Sequence, residues 1–171
     1  MTTGTRHAVK FRRRREGATN YKKRIKILQA RLPRLVVRKS SKYISAQIVE
    51  FSQKGDKTIL TAHSSELRGF GWKFGTKNIP AAYLTGLLVG KKAQSKKVAN
   101  TVADIGLYSP TKGAKVFATI KGAADAGLKI AHSAEKIPPE SKITGKHLSE
   151  YLKKADLTQN FEQVKKKILT D

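Results

Sequence analysis

Leu35-Val36-Val37-Arg38, then Lys39-Ser40-Ser41-Lys42, then Tyr43-Ile44-Ser45-Ala46-Gln47-Ile48-Val49 is the stretch on which the fold turns. Two runs rich in β-branched residues flank a short polar connection, which predicts an antiparallel hairpin. Gly55-Asp56 marks the next turn and Thr58-Ile59-Leu60-Thr61-Ala62 adds a third strand, so the block reads as a meander. Upstream, Thr19 or Asn20 can cap a helix carrying Ile25, Leu28 and Leu32 at helical spacing, ended by Pro33. Downstream, residues 65–77 read as a glycine loop in which Trp72 is a lid on the core. Asn78 with Pro80 predicts a helix start, and Ala81 to Val98 continues it with Leu84, Leu87 and Leu88. Val102 to Leu107 is apolar enough for a buried strand. A helix from about Ala114 to Ala126 follows, with Val116, Phe117, Ile120 and Ala124 on one face and Gly127 as its cap. After Pro138-Pro139 come two short helical patterns, 143–154 and 158–169. A meander followed by helix, strand and helix makes an α/β layered domain, with helices packed on a mixed sheet.

Charge is the second decisive feature. The chain has 171 residues, with 36 bases against 12 acids and a formal charge of +24. Self-repulsion of that size destabilises a compact state unless a partner neutralises it. Residues 1–42 hold 15 bases and one acid, and no arginine follows Arg68. Arginine offers a planar fork that matches phosphate two bonds at a time and stacks on bases, whereas lysine is a flexible point charge. The N-terminal region is therefore read as a grip on a polyanion, with nucleic acid as the partner. Residues 1–17 have concentrated like charge and no apolar periodicity, so alone they are expected to be disordered and to fold onto a phosphate backbone. The Arg12-Arg13-Arg14-Arg15 run also fits a nuclear-localisation or solubilising tail, and Arg6 to Arg24 fits a transit peptide. Against the first pair, charge continues through Lys22, Lys23 and Arg24 into the hairpin. There, Arg34, Arg38, Lys39 and Lys42, with the hydroxyls of Ser40 and Ser41, form a basic ridge able to meet phosphate or 2′-OH groups. Tyr21, Tyr43 and Tyr83 are candidates for stacking on unpaired bases.

Other chemistries find little support. With no cysteine there is no disulfide or thiolate site, which fits an intracellular, soluble chain. No apolar run is long enough to span a bilayer, and no secretory h-region is visible. His7, His63, His132 and His147 lack metal-ligand spacing. Gly86-Leu87-Leu88-Val89-Gly90-Lys91-Lys92 has the wrong spacing for a phosphate-binding loop and lies in a helical pattern, so that reading is rejected. Asp56, Asp104 and Asp125 are the carboxylates from which a two-metal nuclease site could be assembled. Capping and salt bridging are the simpler account, and no enzyme is expected.

Several strings, in order, carry a family likeness. They are Arg12-Arg13-Arg14-Arg15-Glu16-Gly17 with Tyr21, Arg34-Leu35-Val36-Val37-Arg38-Lys39-Ser40, Asn78-Ile79-Pro80-Ala81-Ala82-Tyr83-Leu84-Thr85-Gly86, Asp104-Ile105-Gly106-Leu107, and Phe117 through Gly127. Together they resemble the archaeal and eukaryotic branch of ribosomal protein L-eighteen, the 5S ribosomal RNA-binding protein called L-five in eukaryotes. The likeness runs from about residue 6 to residue 155. It departs at 91–100, which lacks an expected glycine, and at Ala131-His132, where the family tends to have proline. The resemblance implies a ribonuclease H-like sandwich without catalytic carboxylates. It further implies a cytoplasmic role in the large ribosomal subunit, docking 5S RNA onto the large ribosomal RNA beside neighbouring proteins of the central protuberance. No cofactor, metal, membrane or small-molecule substrate is implied. RNA contact is carried onto Arg12, Arg13, Arg14, Arg15, Tyr21, Arg24, Arg34, Arg38, Lys39 and Ser40, then Lys73, Asn78 and Tyr83; the charge pattern adds Lys22 and Lys42. Arg34 and Arg38 are expected to discriminate among RNAs, and the tail to set affinity. The expected organisation is a basic tail over 1–17, an α/β RNA-binding domain over 18–155, and a C-terminal helical extension over 156–171. The rival readings are a general DNA-binding protein and a metal-dependent nuclease built on Asp104 and Asp125.

Overall fold

The computed structural model describes residues 8–152 and 156–170. Its frame is a five-stranded sheet of β1 (Arg34–Lys39), β2 (Ile44–Glu50), β3 (Lys57–His63), β4 (Asn100–Asp104) and β5 (Lys129–Ile130), in spatial order β3-β2-β1-β4-β5. The hairpin forms as expected. β1 pairs antiparallel with β2, Leu35 opposite Ile48 and Val37 opposite Ala46, and β2 pairs antiparallel with β3. β4 lies parallel to β1 and β5 parallel to β4, so the sheet is mixed. Alternation sorts the side chains of β1 and β2. Leu35, Val37, Ile44, Ala46 and Ile48 are buried in the core, while Arg34, Val36, Arg38, Ser45 and Gln47 occupy the other face. β5 was not expected from its sequence. β4 is shorter than expected: the chain leaves the sheet after Asp104, and Gly106 takes a φ of +64°.

Seven helices accompany the sheet among the described residues: α1 (Arg12–Arg15), α2 (Tyr21–Leu28), α3 (Ile79–Ser95), α4 (Lys115–Asp125), α5 (Glu140–Ile143), α6 (Lys146–Leu152) and α7 (Asp156–Thr170). α3 starts where Asn78 caps it, the side-chain oxygen accepting from Ala81 N at 2.8 Å. It is buried nearly all round because it lies between the sheet, α4 and α7, as an evenly apolar helix must. Gly86 and Gly122 set how closely α3 and α4 approach. A Cβ on Gly86 would fall on the carbonyl oxygen of Thr119, and one on Gly122 on that of Tyr83. Gly90 packs there too, a Cβ on it meeting Ala126 Cβ, so the two glycines of the rejected phosphate-loop reading belong to a packing seam. α4 ends as expected: the amides of Gly127 and Leu128 bond back to the carbonyls of Ala124 and Ala123. Trp72 is buried, donates to the carbonyl of Gly75 at 3.1 Å, and meets Phe74 edge-on.

Three boundaries differ from expectation. α2 stops at Leu28 rather than at Pro33, because Arg31 adopts a φ of +51° and turns the chain early. Arg12–Arg15 forms one helical turn where disorder was expected; the part of the tail over residues 1–7 lies outside the described residues. α7 is not an appendage. Phe161, Val164 and Ile168 join the main core, and Asn160 donates to Gly71 O and accepts from Lys73 N. No helix among the described residues is long and apolar enough to cross a membrane.

Candidate nucleic-acid interface

The N-terminal arm lies over the open face of the sheet and is tied to it by ion pairs. Asn20 caps α2 by accepting from Lys23 N at 3.1 Å. One turn on, Arg24 Nη2 donates to both oxygens of Asp56, at 3.0 and 2.9 Å. Asp56 also accepts from Arg34 Nη2, and Arg34 Nη1 donates to Asp104 Oδ2 at 3.0 Å. Asp104 Oδ1 in turn accepts from Arg38 Nη2 at 3.0 Å and from Gly106 N at 2.9 Å. Arg24, Asp56, Arg34, Asp104 and Arg38 thus form one alternating chain of charges linking α2, the β2–β3 turn, β1 and β4.

This network changes the role of Arg34. Its residue is 4% exposed and its guanidinium is spent on two carboxylates, so it stands behind the surface rather than on it. Tyr83 is likewise corrected. It is buried, its hydroxyl donates to Asp125 at 2.9 Å, and its ring packs on Phe161, which leaves no face for a base. Burial first, then the hydrogen bond to the Asp125 carboxylate, raises its phenol well above the usual tyrosine range. Asn78 spends its side-chain oxygen on the cap of α3. Ser40 spends its hydroxyl within the hairpin turn, where Tyr43 N donates to it at 3.0 Å.

The other candidates remain accessible. Arg12 to Arg15 are exposed, and Arg13 Nε donates to Thr19 Oγ1 at 2.8 Å, steadying the turn between α1 and α2. Tyr21 is half-buried against Phe11, and Lys22 is exposed. Lys39, Lys42 and Lys73 are exposed. The backbone of Lys39 is held at both ends by Tyr108, whose hydroxyl accepts from its N–H at 3.2 Å and donates to its carbonyl at 2.8 Å. The Lys39 ammonium sits over the same ring at 4.7 Å from the centroid.

Three bases that sequence reasoning missed complete this end of the molecule. The hairpin turn, the loop before α3 and the start of α4 form two adjoining clefts that gather Lys39, Lys42, Arg68, Lys77 and Lys115. Among the described residues, none of these five is in an ion pair with a carboxylate. Partial burial, then the nearby charges of Lys77 and Lys39, lowers the pKa of Lys115. A signal was available. Lys77 immediately precedes the cap of α3, and Lys115 opens α4, where the helix dipole favours anions and disfavours cations. Bases at two helix starts, with no acid in either first turn, call for an anion from outside.

The carboxylates do not assemble into a cutting site. Asp56 and Asp104 meet only through Arg34, while Asp125 lies at the end of α4 with Tyr83 and Lys121. Among the described residues no three His, Asp or Glu side chains converge as a metal site.

The chain matches the family described as "Ribosomal large subunit proteins 60S L5, and 50S L18" over residues 5–103 and 92–133, two overlapping segments that take in the arm, the hairpin, α3 and α4. The match covers most of the chain, and the chain belongs to this family of large-subunit ribosomal proteins.

Proposed function

We propose that this protein binds 5S ribosomal RNA and attaches it to the large ribosomal RNA in the central protuberance of the large subunit, beside neighbouring ribosomal proteins, in the cytoplasm. It does so as a structural constituent and not as a catalyst. The observation that carries the reading is the group of unpaired bases at the hairpin end, in a chain of large-subunit ribosomal type. Five cations held by a folded core present a fixed pattern, which suits recognition of RNA shape through phosphates and 2′-OH groups. Arg12 to Arg15 and Lys22 stand apart on the arm and supply a second, more adaptable grip. Arg38 and Lys39 keep the discriminating role first expected of Arg34 and Arg38, while Arg34 supports them from beneath.

A titration at physiological salt against 5S RNA, an unrelated folded RNA of equal size and duplex DNA tests the assignment. Preference for 5S RNA of about a hundredfold, or about 2.7 kcal/mol, supports it; equal binding to all three refutes it in favour of a general polyanion binder. Alanine at Arg12 to Arg15 should weaken all three complexes and lower the salt slope by roughly 0.7–0.9 per lost phosphate contact. Alanine at Lys39, Lys77 and Lys115 should instead narrow the preference for 5S RNA. Equal loss of preference in the two sets refutes this division of labour.

A further inference from the structure

Between α2 and the open face of the sheet lies a cleft of about 770 Å³, which meets one of the hairpin-end clefts at Tyr108. That volume is in the range of pockets that hold a small organic ligand, roughly 300–1,000 Å³. Its floor includes Val36 and Val49 of the sheet, Ile27 of α2 closes it from above, and Ile105 forms a wall. Two exposed cations of α2, Lys23 and Lys26, also line it, and neither is in an ion pair among the described residues. Asp56 and Asp104 line it too, each neutralised by paired arginines, so an apolar floor beside unpaired lysines matches one chemistry in particular, a flat aromatic base joined to a phosphate.

The Arg38 guanidinium supplies the element that makes this more than a groove. It is fixed by three bonds, to Val37 O at 2.9 Å, to Asp104 O at 2.8 Å and to Asp104 Oδ1 at 3.0 Å. A Cβ built on Gly106 would lie 2.9 Å from Arg38 Cζ and 3.1 Å from each terminal nitrogen, which places Gly106 over one flat face. The side chain is still 41% exposed and lines the cleft. A planar cation, immobilised, backed by Gly106 and still partly exposed, is a platform on which an unpaired base stacks.

We propose that this cleft receives a single unpaired nucleotide of the bound RNA, its base stacked on Arg38 and against Val36, and its phosphate at Lys23 and Lys26. The proposal rests on the RNA-binding reading given above. It assigns to the arm a role beyond charge: α2 closes over one nucleotide and fixes the register of the RNA on the sheet.

The test uses the full chain and 5S RNA carrying scattered 4-thiouridine, with Val36→Phe to fill the cleft and Arg38→Lys to keep the charge but remove the plane. Far-ultraviolet circular dichroism and thermal unfolding report whether each variant folds, and either variant alone suffices. The expected result is crosslinking of wild-type protein within residues 103–110. Each variant should lose that crosslink and about tenfold in 5S affinity, with the salt slope lowered by no more than one phosphate contact, roughly 0.7–0.9, because the rest of the interface stays in place. If wild-type prefers 5S RNA but crosslinks elsewhere, and the variants bind as wild-type does, the cleft proposal is overturned while RNA recognition stands. If wild-type binds duplex DNA as tightly as 5S RNA and the variants do not differ, no unpaired nucleotide is engaged and both readings fall. If millimolar adenosine monophosphate abolishes the crosslink without weakening RNA binding, the cleft serves free nucleotide and the proposal is overturned.

Discussion

Replacing Asp104 by asparagine tests whether the charge network organises the interface. Asp104 is 7% exposed and holds Arg34 through one oxygen and Arg38 through the other. Asparagine keeps the shape and one acceptor but removes the charge that balances Arg34, itself 4% exposed. Breaking a buried ion pair from one side costs about 3–5 kcal/mol, because the remaining charge stays desolvated. Asp56 still reaches Arg34, so the lower end applies, about 3 kcal/mol. At about 2–4 °C per kcal/mol for a chain of this size, the melting temperature should fall by roughly 6–12 °C. Urea unfolding of Asp104→Asn, Arg34→Met and the double variant closes the cycle. Removing both charges should be less harmful than the sum of the single losses, by about 1 kcal/mol or more. A loss within about 0.5 kcal/mol for Asp104→Asn, or strict additivity in the cycle, would refute the network as a stabilising unit.

Two further outcomes are expected. Gly86→Ala should destabilise by about 1–3 kcal/mol despite alanine's better helix propensity, because its Cβ meets the backbone of α4; Gly75→Ala, with open space around it, should change urea stability by less than about 0.5 kcal/mol. Tyr83 keeps its proton in the folded state while the unfolded chain loses it above about pH 10, so stability should fall as pH rises beyond that point. The urea midpoint of Tyr83→Phe, followed between pH 9 and 11.5, should fall less steeply than that of the wild type; parallel curves would show that Tyr83 does not contribute to alkaline unfolding.

The sequence by itself determined the hairpin, the third strand and the starts of α3 and α4, and it carried the expectation of a polyanionic partner. Each of these rests on local or compositional signals: β-branched residues in Leu35–Arg38 and Tyr43–Val49 about a polar connection, the capping Asn78 before Pro80, and a charge of +24 concentrated at one end. The order of the strands and the two-residue β5 were decided only in three dimensions, because a strand that short carries no period of its own. The same holds for the interface. Arg34 and Arg38 look alike in sequence, each two positions from Val36 on one strand face, yet Asp56 and Asp104 converge on Arg34 and seal it while Arg38 remains partly open. Conversely, Lys77 and Lys115 are 38 positions apart in the chain and meet only because α3 and α4 begin at the same end of the packed domain. Residue type sets which charges a chain carries, but burial and pairing, which depend on partners distant in sequence, decide which of them face a ligand.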